Sequence, residues 1–367
     1  MGCFFNVAEE QVKYLQAKGL NIDSKEIAEN YFLRNSFYHV MDCYGRLLMK
    51  DDGSFYEHAT FDELAYLHIF DKEVKYIFYK AISEIEIGFK ALISYSFMQR
   101  HSDSENAYLR LENYQEGKAF EAAELIAAFV AAMKENKPYD NRTANEKVKK
   151  QRNQGQQEQT DFFIRLFHEL RFERAITFFT CMKEIDQAVI LKYLSQQLSQ
   201  DLGTKIALSA KQVISYLRNL SEFKERVLSG KTMLGFHCRE NSVYCTRLHS
   251  YYDIKSANKR KDVYNIFIIM RVFLYGNQFA LVNNSLRKRF KQLYRLIGSI
   301  DPATITSMLG FPENWHLQQC LPQLERDYGT SDSDVAKAVD NSLKKTAMDY
   351  EAKQKNKGKR VKATVPF

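Results

Sequence analysis

The sequence predicts an all-α fold, a helical bundle with additional helices and room for one small β-hairpin. Apolar residues recur at three- and four-residue steps along most of the chain, the spacing that lines up one side of a helix. Only 15 Gly and 5 Pro stand in 367 residues, too few for the many turns of an all-β protein. Capping pairs precede several of the periodic runs, among them Thr60 with Glu63 and Ser209 with Gln212.

The first helix reads from Asn6, paired with Glu9 as a cap, to a stop at Gly19, with Val7, Val12, Tyr14, Leu15 and Leu20 on one side. Asp23 to Glu26 opens a second. Residues 42–59 are irregular, and Asp51-Asp52-Gly53 marks a turn between two apolar stretches where the hairpin would sit. From Thr60 to His101 runs one long helix, or two nearly collinear ones, with Ile77, Phe78, Ala81, Ile85, Phe89 and Ile93 in register.

A further helix covers 118–136, and 137–161 is poor in apolar residues and reads as an exposed linker. Helices resume over 161–183, 186–203 and 209–228, and 229–260 is mostly irregular. A final helical pair, 260–276 and 283–300, leads to Asp301-Pro302, an N-cap and first-turn pair. The tail starts helical and ends basic and disordered. The organisation expected is therefore an N-terminal helical part (1–112), a helix with a polar insertion (113–160), a C-terminal helical part (161–325) and a basic tail (326–367).

A formal net charge of +8 makes a polyanion a plausible partner. Arg287, Lys288, Arg289, Lys291 and Arg295 form a dense stripe, and Lys259, Arg260 and Lys261 add to it, as do Lys355, Lys357, Lys359 and Arg360. Tyr251, Tyr252 and Tyr294 lie near these charges and suit base stacking. No apolar run approaches the ~20 residues of a membrane span. The opening lacks a secretory pattern, Asn6 stands where an acylation motif has Ser or Thr, and the 6 Cys are scattered like reduced thiols. A cytoplasmic protein is expected. His237, Cys238, Cys245 and His249 are zinc-ligand types, but adjacent His and Cys fit no common structural zinc pattern, so neither metal nor cofactor is expected.

Three stretches carry a family resemblance: "EQVKYLQAKGLNIDSKEIAENYFLRNSFYHV", "TFDELAYLHIFDKEVKYIFYKAISEIEIGFKALISYSF" and the closing "LGFPENW". Over roughly residues 8–320 the chain resembles the Abi family, the AbiD/AbiF-like abortive-infection proteins. The resemblance implies a HEPN-type helical domain, a role in phage defence or a toxin-like system, and RNA cleavage by an Arg-x4-6-His motif paired across a homodimer. In the family the motif runs Arg-Asn-x-x-Ala-His-Asn-Glu-Arg-Leu. The matching stretch here is "RNLSEFKERVL": Arg218, Asn219, Glu225 and Arg226 are kept, while Glu222 replaces the alanine and Phe223 the histidine.

Metal-independent cleavage needs a base for the 2′-hydroxyl and a donor for the charge on phosphorus. Histidine and arginine suit those two tasks, and phenylalanine takes no proton. The expectation is a degenerate site in which Arg218 and Asn219 hold phosphate, with Arg226 as a further RNA contact. Glu86, from the "SEIEIG" step, would orient Arg218, and Phe223 would pack where the base stood. Two alternatives stay open: an active ribonuclease with its histidine supplied by His39, from Arg34-x4-His39, or by a partner subunit; or a non-enzymatic module whose basic stripe meets an acidic protein.

Overall fold

The computed structural model describes residues 2–101, 106–135, 162–317 and 321. The linker 137–161 and the basic tail, with Lys355, Lys357, Lys359 and Arg360, lie outside the described residues. The described residues up to Leu321 cluster as one unit.

Helices α1 (Gly2–Ala17), α2 (Lys25–Arg34) and α3 (Phe37–Cys43) open the chain. The first already runs from Gly2, so Asn6 lies inside it and does not cap it. Ala8, Val12 and Leu15 set its buried face at four- and three-residue steps, which leaves Val7 and Tyr14 turned to solvent. The expected hairpin is reduced to one antiparallel bridge, Met49 with Phe55. Gly53 makes the turn at φ +79°, but the short 3₁₀ segment Gly45–Leu48 uses up the residues that would form the first strand.

Helix α4 (Phe61–Arg100) is one unbroken element of 40 residues, about 60 Å long at 1.5 Å per residue. Its start is a complete capping box: the Glu63 amide donates to Thr60 Oγ1 at 3.2 Å and the Thr60 amide to Glu63 Oε2 at 3.1 Å. Phe78, Ala81, Ile85, Phe89 and Ile93 form its buried stripe. The far oxygen of Glu63 accepts from the amides of Gly298 and Ser299 at 2.6 and 2.8 Å, tying the start of this helix to a segment 235 residues later.

Then come α5 (Ala119–Glu135), α6 (162–169), α7 (Phe172–Cys181), α8 (Glu184–Leu202) and α9 (Ala210–Leu228). The stretch 161–183, expected as one helix, is broken at Leu170 and Arg171, the latter extended at ψ 150°. After a mostly irregular stretch holding α10 (Thr246–Ser250), the chain forms α11 (Val263–Met270), α12 (Gly276–Leu296) and α13 (Pro302–Met308). α12 starts seven residues before the expected 283, at a capping pair of Tyr275 and Gln278. Helices α3, α7, α8, α9, α11 and α12 all pack on α4.

The "LGFPENW" segment closes the C-terminal core. Phe311 and Trp315 meet edge on, 4.7 Å apart, and both rings pack against Phe290 and Phe267. Gly310 sits at φ +80°, and a Cβ there would fall 2.4 Å from the Asp262 carboxyl carbon, so the turn admits no side chain.

Candidate functional site

Helix α9 carries the stretch from Arg218 that the resemblance sets against the family motif. Ser209 and Gln212 form its capping box, and Val213, Tyr216, Leu217, Leu220, Phe223 and Val227 are its buried face. Residues 218 and 223 are five apart, which places them about 140° apart around the helix. Arg218 accordingly faces solvent, whereas Phe223 is fully buried, edge on to Phe78 at 5.1 Å and 5.4 Å from Phe236. Nothing at position 223 can exchange a proton with a ligand.

Glu86 does reach α9, but not at Arg218. Its Oε2 accepts from Lys224 Nζ at 2.6 Å and its Oε1 from Lys90 Nζ at 2.6 Å. Lys90 also donates to the His168 carbonyl, and Lys224 lies over the Phe172 ring at 5.8 Å. Burial works against ionising Glu86, yet the hydrogen bonds from Lys224 and Lys90 outweigh it and hold the carboxyl below its ordinary range. Glu86 therefore clamps Lys224 and Lys90, and no contact of it with Arg218 is found among the described residues. Lys90 is legible in the sequence as the i+4 partner of Glu86; Lys224 is not.

Around Arg218 lies a pocket of about 370 Å³. Its wall carries Glu173, Glu222, Glu225 and Glu240 against Arg218 and Arg239. Asn219 is buried, with Nδ2 donating to the Glu240 carbonyl at 3.3 Å, and Glu222 accepts from the Arg239 amide. Four carboxylates against two guanidinium groups make this a poor phosphate seat, because each ionised carboxylate repels the ligand.

Residues 30–229, more than half of the chain, match the family model described as Abi-like protein. The chain belongs to this Abi-like family. At the family level it is an abortive-infection-type protein. No curated protein and no solved structure matches the chain.

In this Abi-like protein His39 sits half-buried where α2, α3 and α4 meet. Cys43 Sγ lies 3.7 Å from its Nδ1, and its ring is edge on to His68 at 5.9 Å and to Tyr44 at 6.2 Å. Burial raises Tyr31 to about 12, so its hydroxyl keeps its proton, and its Oη lies 2.5 Å from His68 Nδ1. Burial, with Lys72 and His39 nearby, pushes His68 down to about 4, and the ring is neutral. Beside it Asp71, itself buried, accepts from Tyr44 Oη at 2.9 Å, the Met233 amide at 2.8 Å and Thr232 Oγ1 at 3.1 Å, and pairs with Lys75 at 2.7 Å. That node fastens the loop after α9 to α4.

Several cations expected to meet RNA are occupied inside the fold. Arg226 Nε donates to the Thr232 carbonyl, and its guanidinium lies over Phe236. Arg260 donates to the carbonyls of Ser242, Ser256 and Asn258, stapling its own loop. Arg289 pairs with Glu73 at 3.0 Å, and the largely buried Arg287 lies on the Trp315 ring at 5.1 Å. Lys259, Lys288, Lys291 and Arg295 are exposed. The last three, with Asn284, Arg287 and Gln292, line a groove of about 460 Å³ along α12, and none of these described residues is acidic.

The zinc-ligand residue types are also engaged internally. Cys238 Sγ donates to the Asn219 carbonyl at 3.8 Å, and burial pushes its thiol up to about 12. His249 Nδ1 lies 3.0 Å from both the amide and the carbonyl of Cys245. Among the described residues no group of three or more His, Cys, Asp or Glu is arranged to hold a metal, and no helix is long and apolar enough to cross a membrane.

Proposed function

We propose that this Abi-like protein binds RNA through the α12 groove, as a HEPN-type member of an abortive-infection or toxin-like system with a degenerate ribonuclease site. The observation that carries the binding half is the groove itself: Lys288, Lys291 and Arg295 exposed on one helix, with no acid among the described residues of the wall. The degenerate half rests on Phe223, which stands at the family's histidine position, is sealed in the core and offers no base. The retained Arg218 and Asn219 sit in an acid-rich pocket, and on this reading they no longer hold phosphate.

The test is to purify the full chain, sequence whatever RNA accompanies it, and incubate the protein with total RNA in the absence of added metal. Co-purified RNA that persists intact supports the proposal. Cleavage abolished by Arg218→Ala or His39→Ala would overturn the degenerate reading, and absence of any RNA would overturn the binding reading.

A further inference from the structure

Among the described residues the α12 groove offers more free charge than free groups for reading bases, a contrast that bears on the kind of RNA it takes if RNA binds there as proposed. Lys288, Lys291 and Arg295 are three and four residues apart, so one helix face carries them within roughly 10 Å of axial rise. Two amides share the groove, the side-chain type that recognises base edges in other proteins. Asn284 is engaged at both side-chain atoms: its Nδ2 donates to the Leu321 carbonyl at 2.9 Å and its Oδ1 accepts from the Leu321 amide at 3.1 Å. Gln292 Oε1 accepts from Arg289 Nη1 at 2.9 Å. The rings of this helix segment are engaged as well: Phe290 is buried against Phe311 and Trp315, and Tyr294 stacks on His316 at 3.9 Å between centroids with its hydroxyl 3.3 Å from Thr306 Oγ1.

We infer that the groove holds the phosphate backbone of a duplex RNA, without regard to sequence. Proteins that hold single strands without sequence preference add aromatic platforms for the bases, and Tyr294 is already covered by His316. A duplex presents its phosphates in a fixed array and asks for no base contact.

The experiment titrates the full chain with three fluorescent RNAs: a 20-base-pair duplex (about 20 pairs suffices), a duplex of shuffled sequence, and one of the unpaired strands. Equal binding of both duplexes, about tenfold tighter than the strand, is expected, with log K falling against log salt at a slope near −2.7 for three phosphates. Lys288→Ala, Lys291→Ala and Arg295→Ala are each expected to flatten that slope by about 1. A strand that binds more tightly than the duplex, a tenfold effect of shuffling, or slopes unmoved by the three substitutions would each overturn the inference. Tighter binding of a DNA duplex of the same sequence would overturn the choice of RNA. Failure of all RNAs to bind removes the proposed function itself, a different result from any of these.

Discussion

Glu86 holds the ammonium of Lys224 at 2.6 Å across the seam between the 40-residue helix α4 and α9, while its other oxygen holds Lys90 at the same distance. The three side chains are largely buried, so the carboxylate is the only charge that offsets two desolvated ammonium groups among the contacts described. Glu86→Ala is expected to cost about 3 kcal/mol or more, because it strands both lysines. Lys224→Met leaves Glu86 paired with Lys90 and is expected to cost about 1 kcal/mol. Urea denaturation of the two variants at neutral pH checks the asymmetry; equal losses would mean that the clamp does not act as a unit. The Glu86 carboxyl lies below its ordinary range, so this contribution is in place above the ordinary carboxylate pKa and is lost as pH falls through the folded value.

Placing a histidine at position 223 is not expected to create a site. Phe223→His would place a polar ring among Phe78 and Phe236 with no solvent access, at a cost of roughly 1–3 kcal/mol for the unsatisfied nitrogens. Phe223→Leu, which keeps the core apolar, should lose less. Denaturation midpoints for the pair, with an RNA cleavage assay on the histidine variant, decide the matter. Cleavage by Phe223→His at native stability would show that the position reaches solvent after all.

His68 links pH to stability. Its folded pKa of about 4 lies below the ordinary 6.5, so between those values the unfolded chain binds a proton that the folded chain refuses. Stability is therefore full above pH 6.5 and declines as pH falls toward 4, by on the order of 3 kcal/mol. His68→Gln keeps an acceptor for the Tyr31 hydroxyl and should flatten that arm of the curve. An unchanged pH profile in the variant would assign the acid sensitivity elsewhere.

Two glycines separate backbone strain from crowding. Gly19 lies at φ +94° with nothing within 4 Å of a Cβ, and Gly19→Ala is expected to cost about 1–2 kcal/mol from the left-handed backbone. Gly310→Ala carries the same strain and also meets the Asp262 carboxyl at 2.4 Å, so a further 1–3 kcal/mol, roughly, is expected. Thermal melts of both compare them directly. Equal shifts would mean that Asp262 swings aside freely.

How far the fold can be read from the sequence depends on which forces are local. The capping boxes at Thr60 and Ser209 and the periodic stripe of α4 are legible because caps and a 3.6-residue period involve only near neighbours. The hairpin does not form because Gly45–Leu48 folds as a 3₁₀ turn, which a turn signal at Gly53 does not reveal. The partner of Glu86 is hidden because Lys224 lies 138 residues away. Arg226, Arg260 and Arg287 look like RNA contacts because a basic residue shows its charge in sequence, whereas a carbonyl or ring of the same chain that occupies it does not show.

The long helix α4 has one more effect. It supplies a packing face to α3 near its start and to α7 and α8 farther along, and the buried apolar residues of the described chain form one continuous cluster. A nick or truncation that removes either end of this rod would bare apolar surface on the remainder. Limited proteolysis should then yield no stable half-molecule, and melting of the described unit should be one cooperative event rather than a succession of smaller ones.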